Sequence, residues 1–234
     1  MKVVVHWSGG KECCLAYHKA LKQGHTVAFL LTFRYMEPYI FHSFPIMELQ
    51  SEAMRTPQIT TDIKNPRDPV PEILNALACL KKDNGIEGFV TGDIVGKACA
   101  RVHQVYYEII CDEIGLKLLM PVENPSGDTY EVLKEEIAAG LRPIMYCVNS
   151  AYFGEEWLGR ELNKDSIKDL KELADKNDID VCSEDGIGYH TMVIDAPFFR
   201  EAIKIGKFSK MIDNGRKRSW LYMNNAEAFL VAKK

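Results

Sequence analysis

Two rhythms of hydrophobic and polar positions alternate through the first half of the chain. Short apolar runs predict buried strands at Lys2–Trp7, Thr26–Thr32, Gly88–Asp93 and Leu116–Met120. A further run, Pro57–Thr61, is shorter and more polar, which places it nearer a sheet edge. Helical spacing fills the gaps. One helix begins at Cys13 and stops at Gly24, a second spans Pro45–Met54, and a third spans Glu72–Asn84 on a stripe of Ile73, Leu74, Leu77, Ala78 and Leu80. A fourth runs from Lys97 to Ile114 and stops at Gly115. Phe33–Ser43 reads as an aromatic loop broken by Pro38, and Asn65–Pro71 as a proline-rich one. Strand-helix alternation of this kind predicts an α/β fold with a parallel five-stranded sheet flanked by helices. Ligands of such sheets bind beyond the carboxyl ends of the strands. The loops after the first, second and fourth strands are therefore expected to share one edge.

The second half changes rhythm after Asn124-Pro125-Ser126-Gly127-Asp128, which marks a boundary between domains at 1–122 and 123–234. Helices are expected at Ser126–Ala139 and Lys164–Lys176, the latter with an apolar stripe of Ile167, Leu170, Leu173 and Ala174 under a solvated charged face. Strands are expected at Arg142–Asn149, Thr191–Asp195, Lys207–Ile212 and Trp220–Met223. That pattern predicts a smaller C-terminal α+β domain.

Composition narrows the function classes. The 234 residues are 47% hydrophobic, enough for a sizeable core, and carry a formal net charge of −4. A mixed, slightly acidic surface gives no broad nucleic-acid footprint and no reason to expect a membrane partner. No apolar run is long enough for a spanning helix, and no signal peptide is visible, so a cytoplasmic protein is expected. The seven cysteines form no CxxC and mostly sit among apolar residues, which suits reduced, buried thiols. Paired histidine spacing for zinc is absent.

The chemistry concentrates at the first strand's end. Ser8-Gly9-Gly10-Lys11-Glu12 follows that strand with no spacer and leads into a helix. Glycines let the backbone turn sharply and approach a ligand, while the first helical turn offers N–H groups and the positive dipole end to an anion. Ser8 adds a hydroxyl and Lys11 a point charge. Two better-known loops are excluded. The Walker pattern needs a glycine where Val5 stands and Ser or Thr where Glu12 stands. The dinucleotide pattern needs a glycine where Cys13 stands. Glu12 can hold Mg2+ beside phosphates or cap the helix. Cys13 is either a replaced hydroxyl or a thiol activated by the helix end. Asp93 can accept from a ribose, hold a metal or cap the next helix, and Gly92 precedes it in the turn.

The loop resembles the PP-loop of ATP pyrophosphatases, with Glu12 and Cys13 where that family has Asp and Ser. Its HUP-type, Rossmann-like fold agrees with the alternation above. Three further stretches narrow the resemblance to the diphthine–ammonia ligases. They are Phe41-His42-Ser43; Thr91-Gly92-Asp93-Ile94 with Arg101; and the pair Glu156-Trp157-Leu158-Gly159-Arg160 and Val193-Ile194-Asp195-Ala196-Pro197-Phe198-Phe199. The resemblance implies ATP and Mg2+ as cofactors, with Ser8, Gly9, Gly10, Lys11, Glu12, Cys13, His42, Gly92 and Asp93 at the nucleotide. It implies ammonia as co-substrate and diphthine on elongation factor 2 as the protein partner, amidated through an adenylate with release of AMP and pyrophosphate. Lys11, Glu184 and His190 are the catalytic candidates, the last two placed to orient ammonia or take its proton.

Departures from the family pattern leave other readings open. The segment Cys182–Thr191 is one residue longer than the family's and has His190 in place of a Glu, and Pro121-Val122-Glu123 lacks the family's Leu-Trp. A PP-loop enzyme with another acceptor, such as a tRNA base or a small metabolite, fits those changes. A nucleotide-binding regulator without turnover fits Glu12 and Cys13. Taken without the resemblance, Trp157 and Arg160 pack against Phe153 and pair with Glu156 on a helical turn. Arg216-Lys217-Arg218 is a solvated loop or a small RNA contact. The tail at Trp220-Leu221-Tyr222 is a candidate surface for a homodimer.

Overall fold

The computed structural model describes residues 1–35, 40–96, 98–180, 188–214 and 218–233, with the backbone alone for 98–100 and 102. The chain forms two compact units that interleave in sequence: Met1–Ser8, Glu12–Tyr39 and Arg55–Asn124 make the first, and Gly9–Lys11, Ile40–Met54 and Pro125–Lys234 the second.

The first unit is built on a five-stranded sheet in the order β3-β2-β1-β4-β5, comprising β1 (Lys2–His6), β2 (Thr26–Tyr35), β3 (Gln58–Ile63), β4 (Gly88–Val90) and β5 (Lys117–Leu119). All four pairings are parallel. The polar strand β3 lies at an edge, where half its residues need not be buried. Central β1 is buried at Val3, Val4 and Val5. Helices α3 (Val70–Asn84) and α4 (Ala98–Ile114) supply Ile73, Leu77, Leu80, Tyr107 and Ile110 to a core shared with Val4, Leu31, Ile63 and Phe89. Helix α3 ends on Gly85 at φ 64°, the left-handed conformation that glycine adopts most readily. Strand β2 continues to Tyr35, into the stretch expected to be loop, because Phe33 and Tyr35 keep pairing with Thr61 and Ile63. Strand β4 stops at Val90, leaving Thr91-Gly92-Asp93 as the turn toward α4.

The second unit has a four-stranded antiparallel sheet, β7-β6-β10-β9, from β6 (Arg142–Asn149), β7 (Tyr189–Asp195), β9 (Ser209–Asn214) and β10 (Ser219–Asn224). Strands β8 (Glu201–Ile205) and β11 (Ala228–Ala232) pair as a separate antiparallel ribbon that the hydrophobic pattern did not reveal. Helices α5 (Thr129–Ala138) and α6 (Ser166–Lys176) complete the C-terminal segment, and α2 (Phe44–Met54) joins it by packing against β8 and β11. Ile46, Met47, Ala53 and Met54 of α2 are buried there. One expectation is corrected here. Trp220-Leu221-Tyr222 is a half-buried interior strand between β6 and β9 rather than an exposed tail. Inward residues of β10 must pack against the unit's own core.

Candidate functional site

Helix α1 (Lys11–Lys22) starts directly after the second glycine of the loop, so the strand–loop–helix order expected from the sequence is present. Gly9 turns the chain at φ 75°, a left-handed value that a side chain adopts only with strain. There is no room for one either: a Cβ on Gly9 would stand 2.5 Å from Gln50 Oε1 and 2.7 Å from Met192 Cε. Gly9 O accepts from Val193 N at 2.9 Å and from Gln50 Nε2 at 2.9 Å, and the same Gln50 amide donates to Val193 O at 2.8 Å. Lys11 N donates to the Thr191 hydroxyl at 3.2 Å. In the second unit the loop residues Gly9–Lys11 are thus laid along β7 and pinned by α2.

Lys11 is 2% exposed, and its ammonium lies 3.6 Å from Glu136 Oε2 on α5 and 5.5 Å from the Tyr189 ring centroid. His190 packs beside it in sequence, within a cluster of rings. Phe41 lies 4.4 Å from His190 between centroids, His42 5.4 Å and Trp220 5.4 Å. Burial pushes the His190 pKa well below the usual histidine range, and the neighbouring His42 and Lys11 charges push the same way. Its imidazole is neutral near pH 7. His42, expected at adenine or ribose or else packed among Tyr39, Phe41 and Phe44, sits edge-to-face against His190, while Tyr39 lies outside the described residues.

In the first unit, Ser8 Oγ donates to Cys13 Sγ at 3.6 Å. Burial raises the Cys13 thiol pKa, but hydrogen bonds from Cys14 and Ser8 outweigh it, and the net shift is downward. Glu12 is half-buried in the first turn of α1, where the helix dipole favours an acid. Gly92 packs directly over this turn: a Cβ there would stand 2.6 Å from Cys13 N and 2.7 Å from Cys13 Cα. Asp93 Oδ1 bonds His103 Nδ1 at 2.8 Å. Asp93 Oδ2 is buried with no hydrogen-bond partner among the described residues. Burial raises the Asp93 pKa, yet the bond to His103 and the charges of His103 and His6 outweigh it and hold the carboxyl below its ordinary value. An ionised acceptor with an unfilled oxygen fits a ribose hydroxyl or a metal-bound water.

Several sequence expectations meet limits. Glu184 lies outside the described residues, as do Ser183, Asp185, Arg216 and Lys217. Arg160 pairs with Asp169 rather than Glu156, and its guanidinium stacks 4.3 Å from the Trp157 ring. Cys13, Cys14, Cys111 and Cys147 are buried free thiols, whereas Cys79 is exposed. Among the described residues, no group of three or more His, Cys, Asp or Glu could hold a metal ion. Sequence reasoning missed Gln50, Glu136, Thr191 and His103. Two of them left a signal: Gln50 and Glu136 are polar positions on otherwise buried helix faces, with Met47 and Met54 beside one and Val132 and Leu133 beside the other.

The elements with the greatest family specificity prove to be architectural. Gly159 N donates to Met145 O at 2.8 Å and Arg160 O accepts from Met145 N at 2.9 Å, zipping the Trp-Leu-Gly-Arg segment onto β6. Asp195 accepts from Ala196 N at 2.8 Å and pairs with Lys233 at 2.6 Å, fixing the corner before Pro197. A model described as the diphthamide synthase N-terminal domain matches residues 1–118, and one described as its C-terminal domain matches 128–226. The chain belongs to the diphthamide synthase family. It is similar to the diphthine–ammonia ligase of Danio rerio at 26% identity, covering 88% of this chain and 86% of that protein. Similarity to the Rattus norvegicus and Homo sapiens diphthine–ammonia ligases is 25% and 23%, over 88% and 87% of this chain and 83% and 82% of theirs. A solved structure described as a predicted subunit of tRNA methyltransferase from Methanocaldococcus jannaschii DSM aligns at TM-score 0.45 and 14% identity, over 84% of this chain and 98% of that one. No described helix is long and apolar enough to cross a membrane.

Proposed function

We propose that this protein is an ATP-dependent amide ligase that converts the diphthine carboxylate of elongation factor 2 to its amide, using ammonia and releasing AMP and pyrophosphate. A ligase enzyme is what the family and the names of its relatives support. The observation that carries the nucleotide half is the Gly9–Lys11 segment, which opens a helix, excludes any side chain at Gly9 and presents a buried lysine. Ser8, Gly9, Gly10, Lys11, Glu12 and Cys13 would hold the phosphates, with Glu12 beside Mg2+ and Asp93 Oδ2 at a ribose hydroxyl. Magnesium, when bound, neutralises charge on the leaving pyrophosphate. The substrate carboxylate forms a bond to the α-phosphorus as the bond to the β-phosphate oxygen breaks. Ammonia then attacks the acyl carbon, AMP departs, and the nitrogen loses a proton to a base.

The Lys11 ammonium and the loop N–H groups stabilise the developing charge from a backbone that stays in place, because Thr191, Val193 and Gln50 fix it. His190 is neutral and suits a hydrogen bond from neutral ammonia. The lowered pKa makes it a weak proton sink, which leaves Glu184 as the proposed base. The protein is proposed to act in the cytoplasm, where elongation factors work. Product analysis tests the reading. Incubation with Mg·ATP, ammonium and diphthine-bearing elongation factor 2 is expected to yield AMP and a mass decrease of about one unit on the factor as oxygen is exchanged for NH. AMP without the mass change keeps the nucleotide chemistry and refutes this acceptor. Bound ATP with no AMP refutes the ligase.

A further inference from the structure

Two charges are buried together in the second unit where the function above uses only one. Lys11 is 2% exposed and Glu136 0% exposed, and their charged atoms are 3.6 Å apart. Glu136 lies on the buried face of α5 with Thr129, Val132 and Leu133, a position where a carboxylate is costly unless a cation meets it. The separation exceeds the roughly 2.7–2.9 Å of a direct charge-assisted hydrogen bond. Attraction holds this pair more than directional bonding does, so the ammonium can turn from Glu136 without breaking a short bond to it. Its backbone stays in place, because Lys11 N is bonded to Thr191 and Gly9 O to Val193 and Gln50.

We propose that Glu136 is the resident counter-ion of Lys11, which phosphate oxygens replace on arrival and which reclaims the ammonium as pyrophosphate leaves. The inference rests on the polyphosphate reading of the loop. A lysine buried with no counter-ion would hold a multiply charged product strongly and slow its release. Glu136 offsets that hold twice, by competing for the ammonium and by repelling the phosphate. It acts through Lys11 and is a positioning residue.

Calorimetry with pyrophosphate on the full-length protein tests this. Glu136→Gln keeps the shape and removes the charge, and pyrophosphate is expected to bind about tenfold more tightly, the scale of one charge-assisted interaction. Glu136→Asp, which keeps the charge, is expected to stay near the parent affinity. In turnover, Glu136→Gln is expected to lower KM for ATP and kcat together, because release has become limiting. Unchanged or weaker pyrophosphate binding in Glu136→Gln overturns the proposal, since a merely structural carboxylate would not oppose the ligand. Unfolding of the empty protein gives an independent check. Lys11→Met is expected to lose stability that adding Glu136→Gln restores, and additive losses overturn the pair. A parent protein that binds no pyrophosphate, or a Lys11→Met variant that binds it as well as the parent, overturns the phosphate reading itself.

Discussion

A histidine packed among aromatic rings can keep only one protonation state cheaply. His6 lies at the end of β1 with ring centroids of Phe33 at 5.0 Å, Tyr107 at 6.2 Å and Phe89 at 6.4 Å. Burial pushes its pKa down to about 4, against a smaller upward pull from Asp93. The unfolded chain takes up this proton near pH 6.5 and the folded chain not until about pH 4, so stability falls as pH drops through that window. Between pH 7 and pH 5 the loss from His6 is about 2 kcal/mol. Urea unfolding at the two pH values measures it, and His6→Gln is expected to lose that share of the slope; a variant with the parent's full slope refutes the assignment. His190, also held neutral by burial, adds to the loss in the same direction. None of this was legible in the sequence. His6 is written there as the polar end of an apolar strand, and its surroundings come from β2, β4 and α4, all distant along the chain. Lys11, Gly9 and Asp93 could be singled out because their placement is local: a helix start, a turn, and the turn that follows β4.

At the scale of elements, the loop's geometry depends on a helix far from it in sequence. Gln50 of α2 is fully buried, and its amide bridges Gly9 O and Val193 O. Replacing it by Leu keeps the volume and leaves Val193 O without that donor, at a cost of roughly 1–3 kcal/mol. Gly9 O keeps its bond from Val193 N, so the loop is expected to loosen rather than detach. The expected outcome is lower stability in urea together with weaker ATP binding in Gln50→Leu. Lost stability with unchanged ATP affinity would mean that Gln50 supports the core and not the loop. The strands and helices of the parallel sheet were readable because each carries a strong local period, and β3 announced its edge position through Gln58, Thr60 and Thr61. Strands β8 and β11 were not readable. They are five residues each, and charged Glu201 and Lys204 interrupt the first. Their pairing with each other and with α2 is fixed by contacts, which hydrophobic period does not encode.

At the scale of the molecule, the two units are not two lengths of chain. The second unit takes α2 and the Gly9–Lys11 loop from the N-terminal half, and joins them to residues 125–234. Helix α2 contributes Ile46, Met47, Ala53 and Met54 to that unit's interior, and Ala53 O accepts from Arg200 N at 2.7 Å. Each large apolar side chain exposed by removing α2 costs roughly 1.5–3 kcal/mol, and an ordinary domain is stable by only about 5–15 kcal/mol. A fragment of residues 125–234 is therefore expected to lack cooperative unfolding and to bind an apolar dye, although it carries every strand of the antiparallel sheet. Thermal unfolding by near-ultraviolet circular dichroism measures this, with the full-length chain as reference. A fragment that melts cooperatively near the full-length temperature would show that α2 merely rests on the unit. In the expected case the consequence reaches the proposed phosphate loop. Folding of the C-terminal segment and placement of Gly9–Lys11 become one event, because the Thr191 and Val193 bonds to the loop exist only when β7 has formed on its own sheet. A mutation that destabilises β6 or β7 should then reduce ATP binding in proportion to the population unfolded, at a distance from any residue that touches the nucleotide.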